Sequence, residues 1–285
     1  MLFRSAAVVG LPLWMARAAH PLVPLDLFRS RNFAIINLST FLIYGALYVI
    51  LYYLTLFMQG VLGYSAAAAG VAGIPATLLL VLFSSRAGAL SARFGPRLFM
   101  VVGPVIMAAG MLLFALIPAD AAAWHLGQGE ILPPLDYFTR LLPGLLIFGV
   151  GITIMVTPLV TALMASVPVR NSGLASAINN AISRVGPQLV GALLFIAITG
   201  SFYAGLERRV PGLDTSAPDV RQAVSPLNRP ARTDLERPAR EASTDAFHLA
   251  MSVAAGLLLA GALVNLGIRN APAAQRAEGV AAPAD

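Results

Sequence analysis

The chain reads as an all-α integral membrane protein of six crossing helices. Three observations lead there. It is 58% hydrophobic and only 11% charged over 285 residues, where a soluble domain carries about 25% charged residues. Six apolar runs, each near the roughly 20 residues needed to cross a bilayer, follow one another along the chain. The links between most of them are short and rich in turn-forming or basic residues.

The balance of residue types excludes several classes. All 19 basic residues are arginine, and there is no cysteine, so disulfides, thiolate catalysis and cysteine-held metals are ruled out. The net charge of +6 is spread over loops rather than gathered in one patch, which argues against nucleic acid. No His, Asp and Glu cluster suggests a metal, no Ser/His/acid set suggests a hydrolase, and no phosphate loop is present. We therefore expect no enzyme activity, cofactor or metal.

Residues 1–32 hold a short apolar run between Arg4 and Arg17, then a Pro- and Arg-containing approach. The run is too short to span. It fits either a signal peptide or the stump of a preceding helix, and the stump reading is preferred. The expected spans are 33–58, 66–89, 98–117, 141–164, 173–203 and 247–268. The first two are joined by a short uncharged turn at Gly63, Tyr64 and Ser65. The second and third are joined by a hairpin carrying Arg86, Arg93 and Arg97 with no acid, where Gly95 and Pro96 stop the helix. An acidic loop, 118–140, precedes the fourth span. Residues 204–246 carry seven arginines against seven acids and read as a solvated loop. Residues 269–285 read as an Ala/Pro tail. Short basic loops favour the cytoplasm, which places the Arg93 hairpin inside and loops 118–140 and 204–246 outside.

Gly88, Leu90, Arg93, Gly95 and Arg97 resemble the signature loop of the major facilitator superfamily, in its C-terminal copy. Ala92 stands where that motif usually has an acid. The stretch from His20 through Phe33, then Gly63, Tyr64, Ser65, Ala69, Gly70 and Pro75, and the run from Val167 through Asn179 to Pro187, resemble the fourteen-helix drug:proton antiporters of that superfamily. The resemblance covers about residues 19–269. It implies the six-helix C-terminal bundle of the fold, built as two inverted three-helix repeats. It also implies small-molecule or multidrug efflux by proton antiport in a bacterial plasma membrane, with a missing N-terminal half or a second copy as partner. The other reading is a fragment, or a helical partner of a separate half, that does not itself transport.

Polarity along each span points to faces. At 100° per residue, Asn37, Thr40, Tyr44, Tyr48, Tyr52 and Gln59 share one arc of the first span. Thr153, Thr157 and Thr161 do so on the fourth. A polar group in lipid needs a partner or water, so these nine residues are the expected lining of a substrate cavity. Stacking and cation–π contact at tyrosines suit flat or cationic compounds. The tyrosines could instead be packing aromatics, and the threonines could bond only their own helix.

Asn179, Asn180, Ser183, Arg184, Gly186 and Pro187 run along the fifth span as expected packing positions against another bundle. Gly186 and Pro187 could also mark a simple kink. Arg184 either snorkels to the cytoplasmic surface or acts within the membrane. Spans one, four and five should face inward, and the nearly featureless third and sixth should face lipid. No span contains Asp or Glu, so the proton-coupling acid is not evident; in the resembling family such acids sit mostly in the N-terminal half.

Overall fold

A computed structural model describes residues 25–270; the expected stump (1–24) and most of the tail (271–285) lie outside the described residues. Six helices are long and apolar enough to cross a membrane: α1 (Arg31–Val61), α2 (Ala66–Phe94), α3 (Pro96–Phe114), α4 (Tyr137–Ala165), α5 (Val169–Arg209) and α6 (Thr233–Asn265).

The connections follow from local chemistry. Ser65 caps α2, its hydroxyl accepting the Ala68 N–H at 3.2 Å and donating to the Leu126 carbonyl at 3.0 Å, which also ties the α1–α2 turn to the α3–α4 loop. The Tyr137 hydroxyl donates to the Ala72 carbonyl at 3.0 Å. Burial, with the nearby Asp136 carboxylate, pushes the Tyr64 phenol in that turn up to about 12, so it stays neutral. At the Arg93 hairpin, Gly95 adopts φ +89 and ψ 146 and Pro96 opens α3. That backbone conformation is one only glycine takes readily.

The packing is symmetric in pattern. α1 packs on α5 and α6, α4 packs on α2 and α3, and α3 packs on α6. Exchanging α1 with α4, α2 with α5 and α3 with α6 maps these contacts onto themselves. Three crossings reverse the side of entry, so the halves are two inverted three-helix repeats. A large apolar cluster around Phe57, Phe114, Phe202 and Phe247 fills the end away from the Arg93 hairpin, and a smaller one around Phe33, Ile36, Met100 and Leu163 fills the Arg93 end.

Two expectations change. The third and sixth spans are not left wholly to lipid: half of the most apolar stretch of α3 and 44% of that of α6 are buried, against 17% for α2 and 33% for α5. The α3–α6 contact joins the repeats, and it needs apolar or small side chains rather than polar ones, so these helices look featureless in sequence. Asn265 marks the contact, its amide donating to the Met100 carbonyl at 2.7 Å.

Residues 204–246 are also not a plain solvated loop. α5 runs on to Arg209, a short helix covers Pro218–Ala223, and α6 begins well before residue 247. Val220, Val224, Leu227 and Leu235 are buried, and the charges pair: Arg209 with Glu241 and Asp245, Arg232 with Asp234, Arg237 with Glu241. Charge-balanced composition hid a few well-spaced apolar anchors. The strap formed by residues 210–232 is held by the Tyr203 hydroxyl on the Val224 carbonyl at 3.2 Å and by the Leu227 N–H on the Ser243 hydroxyl at 3.1 Å. The Leu227 carbonyl reaches the end of α1 directly over Gly60.

Candidate functional site

The signature hairpin positions α2 against α4. Gly88 faces Thr157, and a Cβ at 88 would lie 2.8 Å from the Thr157 Cγ2. The Thr157 hydroxyl in turn donates to the Ser84 carbonyl at 3.3 Å. A signature glycine and an expected cavity threonine thus form one close helix crossing. Arg93 and Arg97 are exposed at the helix ends, with the Arg93 guanidinium 5.5 Å from the Phe94 ring centre.

On the other repeat, α1 and α5 are joined by a buried polar set. The Asn179 amide nitrogen donates to Asn37 Oδ1 at 3.2 Å and to Thr40 Oγ1 at 2.9 Å. Asn37 and Thr40 also donate to the carbonyls of Phe33 and Ile36. Every member is partnered, as a buried network requires. Asn37 and Thr40, 2% and 0% exposed, therefore line no cavity, because Asn179 of the same bundle covers them. Asn179, expected at a contact with another bundle, is spent inside this one. Gly186 likewise packs on Phe41. Thr153 is buried and bonds the Gly149 carbonyl of its own helix, and Thr161 is exposed and bonds Thr157 in the same way.

The tyrosines take a different place. Tyr44 is half-buried against the core, while Tyr48 and Tyr52 are 49% and 61% exposed. Beyond the Gly45–Val190 contact, α1 and α5 leave a cleft of about 410 Å³ lined by Tyr48, Tyr52, Tyr53, Pro187, Gln188, Gly191 and Phe195, with Val49 and Ala192. A second, mainly apolar cleft of about 430 Å³ lies between α1, α2 and α4, with Thr55 and Thr77 among its few polar residues. Gln59 belongs to neither; it lines a polar pocket at the end away from the Arg93 hairpin, with Asp120, Arg229 and Arg240. Asn180, Arg184 and the partly covered Ser183 lie on the open side of α5. Tyr53, Gln188 and Phe195 were missed in the sequence; a glutamine inside an apolar run was the one signal available.

The two ends differ in charge. Among the described residues, the Arg93 end has Arg29 paired with Asp26 and Arg86, Arg93, Arg97, Arg170, Arg184 and Arg269 in no ion pair, while the opposite end holds Arg140, Arg209, Arg232 and Arg237 in pairs among many acids, with Arg208, Arg221, Arg229 and Arg240 unpaired. Among the described residues no three His, Asp or Glu side chains gather as metal ligands would.

The family model described as the Major Facilitator Superfamily matches residues 4–191. The chain belongs to that superfamily. Among curated relatives of this superfamily chain, it is 27% identical over 216 residues to the multidrug resistance protein Stp of Mycobacterium tuberculosis, covering 74% of this chain and 37% of Stp. It is 30% identical over 201 residues to the uncharacterized MFS-type transporter EfpA of the same organism, covering 70% of this chain and 36% of EfpA. It is 31% identical over 204 residues to the puromycin resistance protein pur8 of Streptomyces alboniger, covering 70% of this chain and 37% of pur8. The chain thus spans little more than a third of the length of these three relatives. With six membrane-length helices and this superfamily membership, it is an integral, multi-pass membrane protein.

Proposed function

We propose that the chain forms one six-helix wall of a small-molecule exporter and works when a second bundle covers α2 and α5. The carrying observation is burial. Only 17% of the most apolar stretch of α2 and 33% of that of α5 are buried within the chain, against 44% or more for the other four helices. Two helices on one pattern-related pair of positions are left open. Alternating access needs two bundles rocking about a shared site, and α2 and α5 supply the face for the second. Stp and pur8 are named for multidrug and puromycin resistance, which supports drug-like cargo for this chain. Within the apolar runs no Asp or Glu is present, so the group that exchanges a proton belongs to the other bundle.

The basic end, with its unpaired arginines, is the cytoplasmic one in this reading, in a bacterial plasma membrane. The test is proton-gradient-driven drug efflux in vesicles holding this chain alone and in vesicles holding it with a matching N-terminal half. Efflux only from the second set is expected. Equal coupled efflux from the chain alone would overturn the reading and direct attention to a second copy as partner.

A further inference from the structure

The loop between α3 and α4 carries acids, yet it also holds out a ridge of apolar side chains. Among the described residues, three of the four most exposed large apolar side chains lie in it: Ile131, Leu132 and Leu135, at 83%, 80% and 76%. Phe138, three residues further on, is exposed as well. The ridge is pinned from both flanks. Glu130 accepts the His125 N–H at 2.8 Å. Asp136 accepts the Ala122 N–H at 2.7 Å and the Arg140 Nε–H at 3.1 Å. Both acids are thus engaged by the loop itself, and between them stand only Ile131, Leu132, Pro133, Pro134 and Leu135. Prolines carry no N–H, so this stretch brings fewer backbone donors that need water or a partner near lipid.

The level of this ridge follows from α2. From Ala66 to Ser85 that helix carries no charge, and Arg86 ends the run. The run makes about 30 Å of helix, the thickness of the hydrocarbon core, so the outer edge of the core lies near Ala66. Ser65 bonds the Leu126 carbonyl through its hydroxyl and the Trp124 carbonyl through its N–H, which seats the loop at that edge. Tyr64, Trp124 and Tyr137 form a buried aromatic cluster there, with ring centres 6.3 and 5.8 Å apart. Tyr and Trp gather at membrane–water boundaries. The pairings of Gly149 with Ala76 and of Thr157 with Gly88 set α4 beside α2, with Tyr137 near the level of Ala66. Leu135 is then about 3 Å further out.

We propose that residues 131–135 are a membrane-surface contact, with Ile131, Leu132 and Leu135 seated among the headgroups and first acyl carbons of the outer leaflet. Lipid fits this ridge better than a protein partner does. A few apolar side chains fall far short of the roughly 800 Å² per partner of a standard protein interface, whereas a lipid boundary needs no shaped counterpart. The flanking Glu130 and Asp136 offer an anionic headgroup no partner, so the contact is apolar rather than electrostatic. It holds the start of α4 at a fixed depth. The contact depends on the membrane placement of the helices and not on the exporter reading.

The chain has no cysteine, so a single one can be labelled cleanly. The test uses the full chain in lipid nanodiscs, with an NBD fluorophore on Leu132→Cys or, in the same loop, on Gln128→Cys at an exposed position. A lipid spin label near the headgroup end of the acyl chain should quench position 132 several-fold more than position 128. Aqueous iodide should do the reverse. The same pattern is expected with a matching N-terminal half present. A second readout leaves the ridge unlabelled. Phe138→Cys should react with a charged, membrane-impermeant maleimide several-fold faster when combined with Ile131→Ser, Leu132→Ser and Leu135→Ser. Position 132 as open to iodide as position 128, loss of its lipid quenching when the second half is present, or an unchanged Phe138→Cys rate would each overturn the contact.

Discussion

The Asn179 amide nitrogen of α5 donates to the Thr40 hydroxyl of α1 at 2.9 Å, buried from both sides. This bond, with its companion to Asn37, fixes the two parallel helices near the Arg93 end, below the place where they part into the tyrosine-lined cleft. Interhelical hydrogen bonds in membranes average about 0.6 kcal/mol and reach about 1.7. Asn179→Leu should therefore lower stability by roughly 0.5–2 kcal/mol. Thr40→Val should couple to it in a double-mutant cycle followed by reversible unfolding in mixed micelles. Strict additivity of the two changes would show that the bond contributes nothing.

Gly88 and Thr157 make a close crossing between the signature helix and α4. Gly88→Ala should destabilise the bundle by about 1–3 kcal/mol through overpacking. Thr157→Ser removes the methyl that the new Cβ strikes and should recover most of that loss. A melting temperature for the double variant no higher than for Gly88→Ala would argue that the clash is not the cause.

The Leu227 carbonyl packs against the open face of Gly60, and Leu227 holds φ +61, a conformation costly for a bulky side chain. A Cβ at position 60 cannot coexist with that carbonyl. In Gly60→Ala the strap should lift, and trypsin added outside sealed vesicles should cut after Arg221 and Arg232 several-fold faster than in wild type. Unchanged cleavage would mean that the strap is held without the Gly60 contact.

Topology is open to a direct check. Reporters fused at Gln128 and Arg229 should both report the outside, and one at Arg93 should report the cytoplasm. A cytoplasmic signal from either outer site would reverse the assignment of the basic end.

Gly95 is the remaining local test. Its φ of +89 with ψ 146 lies where other residues cost about 1–3 kcal/mol. Gly95→Ala should lose stability on that scale, read by thermal unfolding, while Ala92→Ser three residues earlier, at an exposed position, should be near neutral.

Six spans, their order and the turns at Ser65 and Gly95 were legible from the chain because hydropathy, capping and backbone preference act over a few residues. The family resemblance rested on the same local stretches. The site was legible only in part. Tyr48 and Tyr52 do border a cleft, but Asn37 and Thr40, on the same arc of α1, are sealed by Asn179. Periodicity assigns a residue to a face of its own helix, yet one face can meet a neighbour at one level and open space at the next. Whether a polar residue is buried, paired or left facing a cleft depends on how α5 lies along α1. That placement comes from contacts such as Gly45 with Val190 and Gly186 with Phe41, far apart in the chain. The same reason explains α3 and α6, where small and apolar residues that carry no polar signal form the joint between the two repeats.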